Sequence, residues 1–173
     1  QKDGDYSMSW QPHSMKFVTL KTCQEIALKI TDALGGFGIF GVEFFLKDDT
    51  VYFSEISPRP HDTALVTLKT QNMSQFELHV RAFTKMPLGI IEQYTAGVSK
   101  PILLEEQTNK NEEDKIILSR ELLDLNNTYV YIFGKPNIHK KRRMGVIIHT
   151  TLKVHDAIKN IELFYGQSIE TVK

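Results

Sequence analysis

The chain has 173 residues, of which 41% are hydrophobic and 24% are charged, enough for one good core or two small modules. Its 21 Lys and Arg balance 21 Asp and Glu, so no overall attraction to nucleic acid or anionic lipid is expected. No apolar run approaches the roughly 20 residues that span a bilayer, and no signal peptide opens the sequence. The single cysteine, Cys23, excludes an intrachain disulfide framework and a cysteine zinc site. We therefore expect a cytoplasmic protein that binds neither nucleic acid nor membrane.

The chain begins at Gln1 without a Met, and we interpret it as a fragment of a longer protein. The first fifteen residues are polar and unpatterned, which predicts a loop. Apolar residues at helical spacing then predict a helix from about Thr19 to Leu34, ended by Gly35 and Gly36. Two β-rich runs, 37–46 and 51–56, are joined by a polar turn and predict a hairpin. Because both of its faces are largely apolar, we expect the hairpin to lie inside a sheet covered by helices.

The rest of the chain is also mixed α and β. A proline-rich loop occupies 57–63, and the capping box that begins at Ser74 predicts a helix to about Lys85. The charged stretch 105–115 predicts an exposed loop. The remaining pattern predicts strands at 128–133 and 144–150 and a helix at 154–165. We place a boundary near residue 98, which divides the chain into domains of residues 1–98 and 99–173.

Two acids, Glu43 and Glu55, lie inside the predicted hairpin. A two-residue loop at Asp48 and Asp49 would put them on opposite faces, whereas a three-residue loop that includes Thr50 would place them directly opposite each other. We predict the three-residue loop. Two opposed carboxylates need a positive charge between them or a proton on one, and Mg²⁺ suits such oxygen ligands. The alternatives are that one Glu pairs with a buried Lys or Arg, or that it faces water at a strand end.

Two further groups could form a site. The proline-rich loop follows the second hairpin strand directly, so Arg59, His61 and Asp62 are held near the two Glu, either as site residues or as parts of a rigid connector. A basic cluster lies between the two later strands and comprises Lys135, His139, Lys140, Lys141, Arg142 and Arg143. Two of its lysines, 140 and 141, are typical of a solvated hairpin tip. Lys135, Arg142 and Arg143 converge from two strand ends, which favours a pocket for a phosphate monoester.

These motifs together resemble a known family. The segments 35–43 (GGFGIFGVE) and 53–63 (FSEISPRPHDT) are similar to the C-terminal half of an ATP-grasp catalytic domain. With 78–83 (LHVRAF), 133–136 (FGKP) and 142–146 (RRMGV), they resemble the formate-dependent, folate-independent phosphoribosylglycinamide formyltransferases of purine synthesis. The similarity covers nearly the whole chain. It implies an α+β fold, with the C-terminal half of an ATP-grasp domain (an antiparallel sheet with covering helices) followed by a small β-rich C-terminal domain.

The resemblance also implies roles for individual residues. Glu43 and Glu55 would hold the Mg²⁺ that binds the phosphates of ATP, and Asp62 would bind glycinamide ribonucleotide at its amino end. The 5-phosphate of that substrate would be held by Lys135, Arg142 and Arg143. The implied reaction uses ATP and formate to make formyl phosphate, which the ribonucleotide amine then attacks. Members of this family are typically homodimers, and a chain without the N-terminal half of the family is expected to bind ATP poorly and not to turn over.

Two departures and two alternatives accompany this resemblance. Ser57 stands where many ATP-grasp proteins carry Asn, as it does in this family, and Ala64 stands where Gly is expected. The first alternative is a carboxyaminoimidazole ribonucleotide synthetase, which shares the Pro-Arg-Pro-His loop and uses bicarbonate. The sequence His61-Asp62-Thr63 favours the formyltransferase, because the synthetase typically has Asn-Ser after the His. The second alternative is a non-catalytic remnant, which the retained acids and basic residues argue against.

Overall fold

The computed structural model describes residues 5–103, 115–136, 142–165 and 169–172. Residues 105–114 of the predicted charged loop and the tip residues His139, Lys140 and Lys141 lie outside these ranges. The strands are β1 (Ser9–Gln11), β2 (Gly41–Lys47), β3 (Thr50–Ser57), β4 (Ala96–Leu103), β5 (Lys115–Leu118), β6 (Thr128–Ile132), β7 (Arg143–Thr151) and β8 (Ile169–Val172). The helices are α1 (Phe17–Leu34), α2 (Thr67–Thr70), α3 (Gln75–Phe83), α4 (Arg120–Asp124) and α5 (Val154–Tyr165).

An antiparallel four-stranded sheet in the order β1-β4-β7-β6 organises the chain. Its central strand β7 carries a continuous apolar run and is buried on both faces, as such runs require. On one face, Ile147 packs with Ile102 of β4 and with Ile161 of α5. On the other face, Val146 and Ile148 pack against the segment between β3 and α3. The sheet therefore has a core on each side.

The second core fixes the position of the proline-rich loop. Leu65 is buried in it, and Leu68 of α2 packs against it. A 3₁₀ turn, Asp62–Ala64, leads directly into this segment. The loop that ends at His61 is thereby held on the sheet face, close to the beginning of β7.

Several sequence predictions are confirmed, and others need correction. Helix α1 ends at Leu34, where Gly35 adopts a positive φ of 69°, and Ser74 caps α3 by accepting a hydrogen bond from the Glu77 backbone.

The first fifteen residues are not only a loop, because β1 lies among them and pairs with β4. Strand β4 itself spans position 98, so a boundary there would cut the sheet. The division into two domains stays a prediction.

The predicted burial of the hairpin is wrong for the part of the chain that the structure describes. Strands β2 and β3 form a separate two-stranded sheet, attached to the rest by α1 and by the two histidines His61 and His79. Its side chains Phe45, Tyr52 and Phe53 are exposed by 61%, 52% and 45%. Although both faces of the hairpin are largely apolar, these side chains stay exposed among residues 5–103, 115–136, 142–165 and 169–172. Among these same residues, no helix combines the length and the apolar character that crossing a membrane would require.

We predict that His149 on β7 makes stability depend on pH. Burial lowers the pKa of this side chain, which lies between Thr128 Oγ1 (2.8 Å from Nδ1) and Asn160 Nδ2 (3.1 Å from Nε2). The unfolded chain then binds a proton at this histidine more readily than the folded chain. The contribution of His149 to the free energy of unfolding is therefore fully present above about pH 6.5 and decreases as the pH falls below that value. Between pH 7.5 and pH 5.5, urea unfolding should show a smaller decrease in the free energy of unfolding for His149→Gln than for the unmodified chain.

The matched control is His155→Gln, which removes a histidine whose side chain is exposed. This variant should keep the full pH dependence. Equal pH dependence in His149→Gln and the unmodified chain would contradict the role of His149.

Candidate metal and substrate site

The prediction that Glu43 and Glu55 face each other across the two strands is confirmed, but the predicted three-residue turn is wrong. The hairpin turn has two residues, Asp48 and Asp49, both with the positive φ values that a tight β-hairpin favours. Near the turn, Phe44 therefore pairs with Phe53, in the register that would separate the two acids. A β-bulge at Ser54 then inserts one extra residue, and Glu43 faces Glu55 across the strands.

His61 lies between the two carboxylates. Its Nδ1 is 3.5 Å from Glu43 Oε1, and its Nε2 is 3.9 Å from Glu55 Oε1. One potential ligand atom from each of the three residues lies within 4.8 Å of the other two. The Glu43 side chain is 21% exposed and that of Glu55 is 59% exposed, so the cluster opens to solvent on the Glu55 side.

A buried amide holds His61 in place. Gln75, at the start of α3, accepts a hydrogen bond from the His61 backbone N–H and donates one to the His61 carbonyl, both at 2.8 Å. Gln75 is only 3% exposed, and its own N–H donates to Thr67 Oγ1 at 3.0 Å. On the other side of His61, a Cβ on Gly41 would lie 3.0 Å from His61 Cβ, so the imidazole approaches β2 where glycine leaves room. These contacts fix the loop against both hairpin and helix.

Asp62 and Arg143 come together directly. The Arg143 guanidinium donates through Nη1 to Asp62 Oδ2, and both side chains are 34% exposed. The Arg143 Cζ also lies 5.6 Å from the centre of the Tyr6 ring. The structure thus joins one residue of the proline-rich loop to one residue of the predicted phosphate pocket.

The other predicted site residues are less closely joined. Lys135 follows β6 and Arg142 precedes β7, and these strand ends are adjacent because the Phe133 N–H donates to the Met144 carbonyl at 2.8 Å. The Lys135 Nζ lies 5.6 Å from the centre of the Phe133 ring. Arg59 is exposed and donates to the carbonyl of Pro60 at 3.1 Å, which fits a role in loop support. The expected convergence of the two strand ends is therefore present in the backbone.

Sequence reasoning missed two residues of this region, Tyr6 and Gln75. Gln75 was visible only as an interior position of a capping box, and nothing in that pattern indicates an amide that binds the loop. Tyr6 lies in a segment predicted to be unpatterned. A tyrosine three residues before the Ser-Trp-Gln run was the available signal of a strand that approaches the site.

The donor atoms of the Glu43–Glu55–His61 cluster fit a divalent cation. Two carboxylates supply the hard oxygen ligands that Mg²⁺ prefers, and several positions remain for water or phosphate oxygens. Their opposition across two strands would be electrostatically unfavourable without a positive partner. Glu43 and Glu55 are therefore the residues that could hold the metal.

Two family descriptions match this chain. Residues 1–76 match the ATP-grasp domain, and residues 103–163 match the family described as PurT, C-terminal. The first match contains both hairpin acids and the proline-rich loop. The second contains the strands that carry Lys135, Arg142 and Arg143.

Individual relatives agree with these families. A formate-dependent phosphoribosylglycinamide formyltransferase of Francisella tularensis subsp. tularensis (strain WY96-3418) is 50% identical over 159 residues, and one of Hydrogenovibrio crunogenus is 46% identical. Both alignments cover 92% of this chain but 40% of the relative, so the chain spans well under half of those proteins.

Solved structures share the fold. An N5-carboxyaminoimidazole ribonucleotide synthetase from Thermotoga maritima superimposes with a TM-score of 0.84 and 28% identity, covering 96% of this chain and 46% of the other. A glycinamide-RNase-transformylase T from Mycobacterium tuberculosis superimposes with a TM-score of 0.73 and 28% identity. This superposition covers 93% of this chain and 45% of the other. Over nearly its whole length the chain is therefore similar to the C-terminal portion of formate-dependent phosphoribosylglycinamide formyltransferases, and its residues 1–76 match the ATP-grasp domain.

Proposed function

We propose that this chain supplies the metal-binding and ribonucleotide-binding part of a formate-dependent phosphoribosylglycinamide formyltransferase. In the proposed reaction, a formate oxygen attacks the γ-phosphorus of ATP and releases ADP. The amine of glycinamide ribonucleotide then attacks the formyl carbon and expels phosphate, which gives formylglycinamide ribonucleotide. The observation that carries the proposal is the opposed pair Glu43 and Glu55, with the Asp62–Arg143 pair on the loop that leaves the same hairpin.

In this proposal, Glu43 and Glu55 hold Mg²⁺. The bound ion would supply positive charge to the phosphates of ATP as charge moves onto the leaving group. The protein contributes a rigid arrangement of the two carboxylates, because they sit on paired strands and the bulge at Ser54 fixes their register. Gln75 holds His61 beside them through the loop backbone.

The ribonucleotide would bind where the loop meets the two strand ends. Arg143 contacts Asp62 through one nitrogen, and a guanidinium has further N–H donors in a planar fork that suit a phosphate. Lys135 and Arg142 would add positive charge at the same end of the sheet. Asp62, as a carboxylate, suits the amine or a hydroxyl of the substrate. We also propose that the complete protein works as a homodimer in the cytoplasm and binds neither nucleic acid nor membrane.

A second candidate has a specific observation in its favour. The TM-score of 0.84 to the Thermotoga maritima synthetase exceeds the 0.73 to the Mycobacterium tuberculosis protein. The same residues could then bind the substrates of a synthetase, which are ATP, bicarbonate and aminoimidazole ribonucleotide. The identity of 50% to the Francisella formyltransferase, over 159 residues, favours formate and glycinamide ribonucleotide.

ADP release by the full-length protein that carries this chain separates the two candidates. We expect release with formate plus glycinamide ribonucleotide and none with bicarbonate plus aminoimidazole ribonucleotide. Release with only the second pair would assign the synthetase activity, and release with neither would favour a non-catalytic remnant. The 173-residue chain by itself should release no ADP, and formate-dependent ADP release by it would contradict that expectation.

A further inference from the structure

Tyr6 lies in the region where the N-terminal segment meets the sheet, and its hydroxyl makes an unusually complete set of contacts. The residue is 6% exposed, and its Oη lies 2.7 Å from Ser99 Oγ, 3.0 Å from Ser9 Oγ and 3.1 Å from the Ser99 carbonyl, to which it donates. Ser9 and Ser99 are paired residues of β1 and β4, and their hydroxyls are 2.8 Å apart. The phenol is therefore anchored to two strands of the sheet.

The ring of Tyr6 faces the proposed ribonucleotide site. The Arg143 guanidinium carbon lies 5.6 Å from the ring centre, a distance at which a cation is attracted to an aromatic face. Arg143 also donates to Asp62, so the guanidinium is held by a carboxylate and by a ring. Burial raises the pKa of Tyr6, so the phenol stays protonated and donates a hydrogen bond to the Ser99 carbonyl.

We propose that Tyr6 is the positioning residue for Arg143 in the ribonucleotide site. The two serines and the Ser99 carbonyl fix the hydroxyl, the fixed ring limits the positions of the guanidinium, and Asp62 sets its orientation. One edge of the guanidinium then stays in place for the phosphate of the substrate, instead of being ordered only when the substrate arrives. This inference rests on the proposed function, because it assigns Arg143 to a ribonucleotide.

The first test needs no substrate and uses the 173-residue chain. The side-chain Nε–H resonance of Arg143 should be shifted by the ring current of Tyr6 and should exchange slowly with water. Tyr6→Leu removes the ring, and the resonance should move towards that of a solvent-exposed arginine and exchange faster. Tyr6→Phe keeps the ring and removes the anchored hydroxyl, so it should give a smaller change of the same sign.

The matched control is Tyr52→Leu. Tyr52 lies on β3, is 52% exposed and belongs to neither core of the sheet, so its removal leaves the surroundings of Asp62 and Arg143 intact. Its loss should leave the Arg143 resonance unchanged. An Arg143 resonance that is the same in Tyr6→Leu and in the unmodified chain would overturn the proposal.

The second test measures substrate use by the full-length protein that carries this chain. Tyr6→Leu should raise KM for glycinamide ribonucleotide roughly tenfold and change KM for ATP less than about twofold. An equal rise in both constants would indicate a general structural defect and would overturn the positioning role. If the unmodified protein uses no glycinamide ribonucleotide, the proposed function fails, and the Arg143 resonance still decides whether Tyr6 positions that side chain.

Discussion

Replacing either hairpin acid by its amide, Glu43→Gln or Glu55→Gln, is expected to reduce the affinity of this chain for Mn²⁺, used as a paramagnetic substitute for Mg²⁺, by on the order of 100-fold. Each change removes a negative charge and one of two anionic ligands. Partners of metal ligands that never touch the ion are themselves worth roughly 10- to 100-fold in affinity, so loss of a ligand should cost at least as much. Electron paramagnetic resonance of free Mn²⁺ measures the affinity directly.

The matched control for these variants is Glu25→Gln. Glu25 lies on α1, where its exposed side chain pairs with Lys21, and the same change of charge there should leave the Mn²⁺ affinity within about twofold. A similar loss in Glu25→Gln would indicate a nonspecific effect of net charge. Unchanged affinity in both hairpin variants would contradict the metal site.

Thermal unfolding of the same variants separates the metal site from a structural ion pair. If the two carboxylates form a metal site, replacing either one by an amide removes the repulsion between them when no metal is bound. Without metal, these variants should then unfold at the same Tm as the unmodified chain or at a higher one. If the acids serve mainly to pair with His61, 3.5 Å from Glu43, their loss should lower Tm without an effect on Mn²⁺. Only the ion-pair role therefore predicts a lower Tm.

Ile147→Ala is expected to lower the free energy of unfolding by about 2–5 kcal/mol. Ile147 is fully buried in β7 and packs in the cluster formed by β4, α4 and α5. Its removal loses the transfer free energy of the deleted carbons and leaves a cavity, because the neighbouring strand and helix are fixed by their own partners. Urea unfolding followed by circular dichroism measures this change.

Leu152→Ala is the matched control for Ile147→Ala. Leu152 follows β7 directly and is 94% exposed, so the loss of a similar number of carbons should change the free energy of unfolding by less than about 0.5 kcal/mol. Equal effects at positions 147 and 152 would mean that the sheet core does not dominate stability.

Mn²⁺ binding by Ile147→Ala can be measured at a urea concentration at which the variant is still folded. Loss of binding there would mean that packing of the sheet core also positions the metal ligands.

Local chemistry allowed much of the chain to be predicted from its sequence. The helices at 17–34, 75–83 and 154–165 follow from apolar spacing, from the capping box at Ser74 and from the glycine at 35, all of which act within a few residues. The strands at 128–132 and 143–151 follow from β-rich composition. The ordered motifs around Glu43, Glu55 and Asp62 also sufficed to indicate the family.

Other features depend on contacts between distant residues. Strand β1 was missed because a short polar segment becomes a strand only when a partner satisfies its backbone, and that partner, β4, lies some 90 residues away in the chain. The predicted three-residue turn was wrong, yet the two acids are opposed, since a bulge at Ser54 compensates for the shorter turn. No local signal separates these two routes to one register.

The sequence by itself determined the types of residue at the site, their order and the family that they resemble, because these depend on identity and spacing. The tertiary structure decided which residues meet. It placed His61 between two acids, brought Asp62 to Arg143 across 81 positions of the chain, and set the ring of Tyr6 beside that arginine. Such contacts arise from packing of the 62–70 segment on one face of the sheet, where burial of Leu65 against Val146 fixes the loop in space.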